Sequence, residues 1–182
     1  LLPKQIKVYI DSNEKKNLFD LISKDFKKLS YSNSFKLVSN KNRSNLSLEI
    51  DKELDEEEYE IDINGKVVIK GGSLSAIKMA RSTLLQLSEN DNGRITLPII
   101  KLKDSPDAAY RGLLIDLARK WHKIETIYKL IDLASFYKLN YLQFHLTDDQ
   151  LFTFPSENFP KIQTKGKHYT KEELLSFVDY AH

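Results

Sequence analysis

The sequence predicts an α/β protein in two parts: a small α+β domain over residues 1–105, then the strand–helix units of a parallel sheet over residues 106–182. Three observations carry this expectation. Through the first half, short runs with apolar residues at every second position alternate with two stretches at helical spacing. Asp104-Ser105-Pro106-Asp107 then reads as a linker, because it gathers turn-forming residues around a proline. Beyond it, the order strand, helix, strand, helix at tight spacing is the pattern of parallel βα units.

In the first part, Ile6, Val8 and Ile10 at period two predict a strand, and Asp11-Ser12 offers a cap for the helix that follows. Leu18, Leu21, Ile22, Phe26 and Leu29 recur at spacings of three and four, which puts them on one buried face. Strands are expected at 35–38, 46–50, 59–63 and 67–70, the last two joined by an Asn64-Gly65 turn in which both residues tolerate positive φ. The acidic run 51–58 lacks the ligand spacing and glycine of a calcium loop and reads as a solvated turn. A second helix begins near Ser73, aligns Leu74, Ile77, Ala80, Leu84 and Leu87, and ends at Asn90-Asp91-Asn92-Gly93. Gly71-Gly72 ahead of it has neither the Lys-Ser or Lys-Thr of a phosphate loop nor a third glycine. Residues 95–102 are strand-like, with Pro98 placing them at a sheet edge.

In the second part, residues 110–117 form a strand, Ile124, Ile127, Leu130, Ile131 and Ala134 line one face of a helix, and residues 140–146 form the next strand. A polar and aromatic loop spans 147–168. Thr170 and Glu173 then make a capping box for a helix carrying Leu174, Phe177, Val178 and Ala181. Periodicity alone leaves two readings of this part, an open doubly wound sheet or the beginning of an eight-stranded barrel.

Composition narrows the function classes. A hydrophobic share of 41% with 30% charged residues is that of a globular chain rather than a disordered one. A net charge of +2, from 28 basic and 26 acidic residues spread along the chain, gives no footprint for nucleic acid or for acidic polymers. No stretch approaches the ~18 apolar residues of a membrane helix, and Leu1-Leu2-Pro3-Lys4 is not a secretory signal. With no cysteine there is no disulfide framework, thiolate nucleophile or cysteine metal site, and the compartment stays open.

Two ordered motifs add a resemblance. Tyr110-Arg111-Gly112-Leu113-Leu114-Ile115-Asp116-Leu117-Ala118-Arg119 resembles the first barrel strand of family 20 glycoside hydrolases, the β-N-acetylhexosaminidases, where Arg-Gly leads through apolar residues to Asp and then Arg. Lys138-Leu139-Asn140 followed by His145-Leu146-Thr147-Asp148-Asp149-Gln150 resembles their second strand and loop. Upstream, residues 59–87 look like the family's small accessory domain, in which a hairpin precedes a helix ending in Leu-Leu-Gln-Leu, and the likeness weakens before Tyr59. Common members continue into Gly-Trp-Arg, whereas Leu151-Phe152-Thr153-Phe154-Pro155-Ser156 follows here.

The resemblance implies an accessory domain followed by the first two βα units of a TIM (β/α)8 barrel, incomplete in this chain. It implies hydrolysis of terminal non-reducing N-acetylhexosamine from glycans by a substrate-assisted retaining mechanism, in which the acetamido oxygen attacks the anomeric carbon and forms an oxazolinium. An Asp-Glu pair after the fourth barrel strand supplies the acid and orients the acetamide in that family. The pair is expected beyond the chain end, because the only Asp-Glu here, Asp55-Glu56, lies in the acidic run. The chain alone is therefore expected to be inactive, and its unpaired sheet edge to favour self-association. No cofactor or metal is implied, and a secreted or periplasmic location is favoured by analogy. The alternative is a non-catalytic carbohydrate-binding or interaction domain; a nucleotide-binding domain is disfavoured by the missing phosphate loop.

By resemblance, Arg111 matches a residue that binds sugar hydroxyls, a task suited to a planar guanidinium inside the barrel. Asp148 matches an acid of the active-site hydrogen-bond network and falls just past a strand's C-terminal end. His145 and Asp149 rank lower, since on an extended strand their parity is opposite to that of Asp148. Asp116 and Arg119 are expected to brace the loop after the first strand, and Trp121 to pack at the strand-to-helix turn rather than stack on sugar.

Overall fold

The computed structural model describes residues 2–28 and 31–182, which fall into two units, 1–107 and 108–182, each built on its own sheet. The first contains β1 Gln5–Asp11, α1 Lys15–Lys28, β2 Ser34–Leu37, β3 Leu46–Ile50, β4 Tyr59–Asn64, β5 Lys66–Gly71, α2 Leu74–Leu87, β6 Glu89–Asp91, β7 Arg94–Thr96 and β8 Ile100–Asp104. Six strands form one mixed sheet in the order β2-β1-β3-β5-β4-β8, with β2, β1, β3 and β5 parallel and β4 antiparallel to both its neighbours.

Alternation explains which face is covered. Ile6, Val8 and Ile10 of β1, Ile61 and Ile63 of β4, and Val67 and Ile69 of β5 are buried, while the residues between them are not. Against that face α1 sets Leu18, Ile22 and Phe26, and α2 sets Ile77, Ala80 and Leu84. Leu21 is only partly buried, and Leu29, expected on the same face, lies outside the described residues. The helices are also tied by charge, Arg81 Nη1 of α2 standing 3.2 Å from Asp25 Oδ2 of α1 with both side chains largely buried.

Three local expectations are corrected. At Asn64-Gly65 only the glycine takes positive φ, +71°, because the register pairs Asn64 with Lys66 and the turn closes on one residue. Asn90–Gly93 does not end α2; Ser88 does, bonding back to the Leu85 carbonyl. Asn92 (φ 52°) and Gly93 (φ 81°) instead form a two-residue hairpin turn between β6 and β7, which needs two consecutive left-handed residues. Residues 95–102 are not one strand. Pro98 lacks the N–H that a ladder requires, so the chain splits into β7, paired with β6, and β8, at the edge of the main sheet. The acidic turn before β4 is held by Asp51 to Lys70 and Glu58 to Lys103, and it crosses so closely over Gly72 that a Cβ there would meet the Asp55 carbonyl.

The second unit contains β9 Gly112–Asp116, α3 Ile124–Phe136, β10 Tyr141–His145 and α4 Lys171–Ala181. The two strands are parallel, in register from Gly112 beside Tyr141 to Asp116 beside His145. Ile115, Leu117, Ile127, Ile131, Tyr169 and Phe177 form the core, with Leu113, Leu142 and Phe144 packed on it from the strands' helix-covered face. The capping box of Thr170 and Glu173 is present. Val178 and Ala181, expected inside, are exposed, because α4 packs through Phe177 and Leu174 and is fastened by Tyr180 to Asp132 and by Ser176 to Tyr128. The opposite face of the strand pair, with Leu114, Tyr141, Gln143 and His145, is exposed.

Candidate functional site

Parallel pairing brings the C-terminal ends of β9 and β10 to one level, and the chain leaving each is turned by its own hydrogen bonds. After β9, Asp116 Oδ1 accepts from the N–H groups of Ala118 and Arg119 at 3.0 and 2.9 Å, a side-chain turn that bends the chain at once. After β10, the Leu146 carbonyl accepts from the N–H and the hydroxyl of Thr153, both at 2.8 Å, and Asp148 N–H donates to Leu151 O at 2.9 Å. Thr153 is fully buried, which fixes this loop to the strand end.

The two turns meet at Asp148. Its Oδ2 lies 3.3 Å from Arg119 Nε and 3.6 Å from His145 Nε2, while Asp116 Oδ2 stands 3.7 Å from Arg119 Nε. The parity argument against His145 thus fails, because the chain is no longer extended past residue 145 and the turn folds Asp148 back over the strand end. Asp149 also joins the group. Its carboxyl hydrogen-bonds Asp148 and, with Arg119 and the Gln150 N–H, holds Asp148 down at about 2, whereas the same bond and the charge of Asp148 push Asp149 up from 3.8. Asp148 in turn raises Arg119, so this pair stays charged.

Chemically the cluster is a solvent-facing guanidinium held by carboxylates. Arg119 is 65% exposed while Asp148 is 13% exposed, so the carboxylate anchors a guanidinium that faces solvent. Among the described residues the printed contacts of the Arg119 guanidinium are made by Nε, so the two Nη groups form a planar pair of donors, with His145 also beside Asp148. Among the described residues no three His, Asp or Glu side chains are arranged to hold a metal.

Arg111 is not brought to this cluster. It precedes β9, at the strands' opposite end, and its guanidinium donates to the carbonyls of Lys138 at 2.9 Å and Ala108 at 2.6 Å. Lys138 sits at positive φ (60°) just after α3, so Arg111 closes the α3–β10 turn. Its sequence parity with Leu113 and Ile115 also points it to the helix-covered side, not the open one. Trp121 packs, stacking on Tyr169 at 5.9 Å, and Asp116 braces its turn, whereas Arg119 reaches across to Asp148. The arginine that the structure places beside Asp148 is Arg119. The available signal was its place after a strand's C-terminal end, where Arg111 stands before the beginning. Asp55-Glu56 lies in the first unit's acidic turn.

Two family models divide the chain between them: glycosyl hydrolase family 20, domain 2, matches residues 1–105, and glycosyl hydrolase family 20, catalytic domain, matches residues 109–182. The chain belongs to glycosyl hydrolase family 20. Among family relatives, a β-hexosaminidase of Vibrio furnissii is 31% identical over 150 residues, covering 70% of this chain and 24% of its own length. The β-hexosaminidase subunit beta of Mus musculus is 33% identical over 120 residues, 63% of this chain and 22% of that one. The chain thus spans about a quarter of the length of these curated relatives. A Flavobacterium johnsoniae chitobiase structure superposes on 99% of the chain and 30% of its own with TM-score 0.82 and 27% identity. A Streptomyces plicatus β-hexosaminidase in complex with GlcNAc shares the fold at TM-score 0.87 and 21% identity, over 99% of this chain and 40% of that one.

Proposed function

We propose that this chain is the sugar-holding front of a β-N-acetylhexosaminidase, a small accessory domain over residues 1–105 followed by the first two βα units of a (β/α)8 barrel. The Arg119–Asp148–His145 cluster at the C-terminal ends of two parallel strands carries the reading, since barrel active sites are assembled from the loops at that end. The exposed strand face with Gln143 and Tyr141 corresponds to the barrel interior, and β9–α3 with β10–α4 to its first units. The family membership and the GlcNAc bound in a relative's structure supply the ligand class, a terminal N-acetylhexosamine of a glycan.

In this reading Arg119 donates to ring hydroxyls, Asp148 fixes that guanidinium and accepts from a hydroxyl, and Asp149 shares a proton with Asp148. The substrate's acetamide performs the nucleophilic attack. None of the residues at this cluster is assigned the acid that protonates the leaving oxygen, so residues 1–182 are expected to bind sugar without cleaving it. Arg111 braces the α3–β10 turn, and the open edges of the two-stranded sheet favour association with further strands. The test is amide-resolved NMR with N-acetylglucosamine. Shifts at Arg119, Asp148 and His145 that vanish in Arg119→Ala support the site, while unchanged binding by that variant refutes it. Turnover of a chromogenic N-acetylglucosaminide by residues 1–182 alone would refute the division between binding and acid catalysis. Sugar binding with no hydrolysis by any longer form of the protein would favour the non-catalytic alternative.

A further inference from the structure

The first unit has a groove of its own, ≈ 670 Å³ in volume, outside the C-terminal ends of the parallel strands β1 and β2. It follows from a difference in strand length. β2 runs beside β1 only as far as Leu37 opposite Val8, with the Val38 N–H donating to the Val8 carbonyl at 2.8 Å, whereas β1 continues beside β3 to Asp11. The end of β1 therefore has a strand on one side only, and the notch on the other side is the groove. Crevices outside the carboxyl ends of parallel strands are where open α/β sheets take ligands, and the volume falls within the ~300–1,000 Å³ of small-molecule sites. Ile10 gives the lining a buried apolar side chain, and Tyr9, alternating with it on the face that no helix covers, gives a half-buried ring. Tyr9, Asp11, Asn13, Lys15 and Ser39 make no side-chain hydrogen bond or ion pair among the described residues, so their donors and acceptors are open to a ligand. The charged side chains of the lining are one carboxylate, Asp11, and one ammonium, Lys15, while the neighbouring Glu14 is engaged by the Asn17 amide.

We propose that this groove is a second glycan contact, holding a neutral oligosaccharide of N-acetylhexosamine units on the first unit, an inference whose ligand class rests on the sugar-binding reading above. A pyranose presents an apolar C–H face and a rim of hydroxyls, each of which donates and accepts. The Tyr9 ring suits the face, and its hydroxyl together with Asp11, Asn13 and Ser39 suits the rim. An anion in the groove would meet Asp11 and a cation would meet Lys15, so the mixed pair favours a ligand without charge. With a single carboxylate in its lining, the groove lacks the acid–base pair of a glycosidase, and its role is to hold glycan rather than to cleave it.

The experiment titrates residues 1–182 with N-acetylglucosamine, with chitotetraose and with glycerol, followed by amide-resolved NMR. Chitotetraose is expected to shift the amides of residues 9–13 and 37–39 and to bind there about five-fold or more tighter than the monosaccharide, because more than one ring meets the groove. Raising salt is expected to leave that affinity unchanged, since the ligand carries no charge. Asp11→Ala/Asn13→Ala, at two exposed positions, is expected to weaken tetrasaccharide binding at these amides about five-fold or more. Tyr9→Ala is expected to do the same and Tyr9→Phe, which keeps the ring, to retain most of the affinity. Hydrogen exchange at β1 and α1 amides confirms that each variant is folded. The inference is overturned if the groove amides do not shift, if glycerol shifts them as the tetrasaccharide does, if the monosaccharide binds there as tightly, or if the double variant binds unchanged. Shifts at Arg119 and Asp148 with none at Asp11 sink this inference alone. Shifts at Asp11 with none at Arg119 support it and sink the reading of the strand-end cluster, and no response at either place sinks both.

Discussion

Removing Asp25 tests how the first unit is held together. Arg81 lies on α2 with its side chain 6% exposed and its Nη1 3.2 Å from Asp25 Oδ2 on α1. Replacing Asp25 by Leu takes a carboxylate away from a largely buried guanidinium, and breaking a buried pair from one side costs about 3–5 kcal/mol. Against the ~5–15 kcal/mol of an ordinary domain this is a large fraction. With a urea m-value of ~1–3 kcal/mol/M it moves the unfolding midpoint by roughly 2 M. Hydrogen exchange at α2 amides, read against urea, reports the first unit, while fluorescence of Trp121, the only tryptophan, reports the second. The double variant Asp25→Leu/Arg81→Met is expected to recover most of the loss, because it removes the charge along with its partner. A single-variant loss below ~1 kcal/mol, or a double variant no more stable than the single, would refute the view that the lost charge pairing is the cost.

Three further outcomes are expected. Gly72→Ala forces a methyl against the Asp55 carbonyl and destabilises the first unit by about 1–3 kcal/mol in chemical denaturation, with unchanged stability counting against the packing described. Tyr169→Phe removes the hydroxyl that donates to His122 O at 2.6 Å and leaves that carbonyl unsatisfied, at about 1–3 kcal/mol with a shift in Trp121 emission; an unshifted spectrum and stability would contradict it. In a carboxyl-resolved NMR titration Asp148 protonates at about 2 and Asp149 above 3.8. Asp148, depressed by folding, adds stability above its unfolded value that is lost as pH falls through about 2, whereas Asp149 disfavours the fold as pH rises through its raised value. Arg119→Met should lift Asp148 only part-way, since the Asp149 hydrogen bond is the larger cause, and Asp148 titrating at 3.8 in the unaltered chain would sink this account.

The candidate cluster was legible in proportion to how local its geometry is. Asp148 could be picked from its motif and from its place after a strand, because both are properties of neighbouring residues. His145 and Asp149 were ranked down by a parity rule that holds only while the chain stays extended, and the turn closed by Thr153 and Leu146 ended that condition. Arg111 and Arg119 share residue type and motif. What separates them is which end of a parallel strand each occupies and which carbonyls or carboxylates lie there, and those partners come from the loops around β10, about thirty residues on.

What the amino-acid order determined by itself is the set of elements: the period-two strands, the two one-sided helices of the first unit, the Ser73 cap, the Thr170–Glu173 capping box and the strand–helix–strand order after residue 107. Each depends on side chains within a few positions of one another, so short-range periodicity and capping suffice to read it. The tertiary structure alone decided that Asn92-Gly93 turns a hairpin instead of ending a helix, that Pro98 splits a strand between two sheets, and that Arg119 meets Asp148 across parallel strand ends. Those outcomes rest on pairing between distant segments, whose register no local pattern encodes.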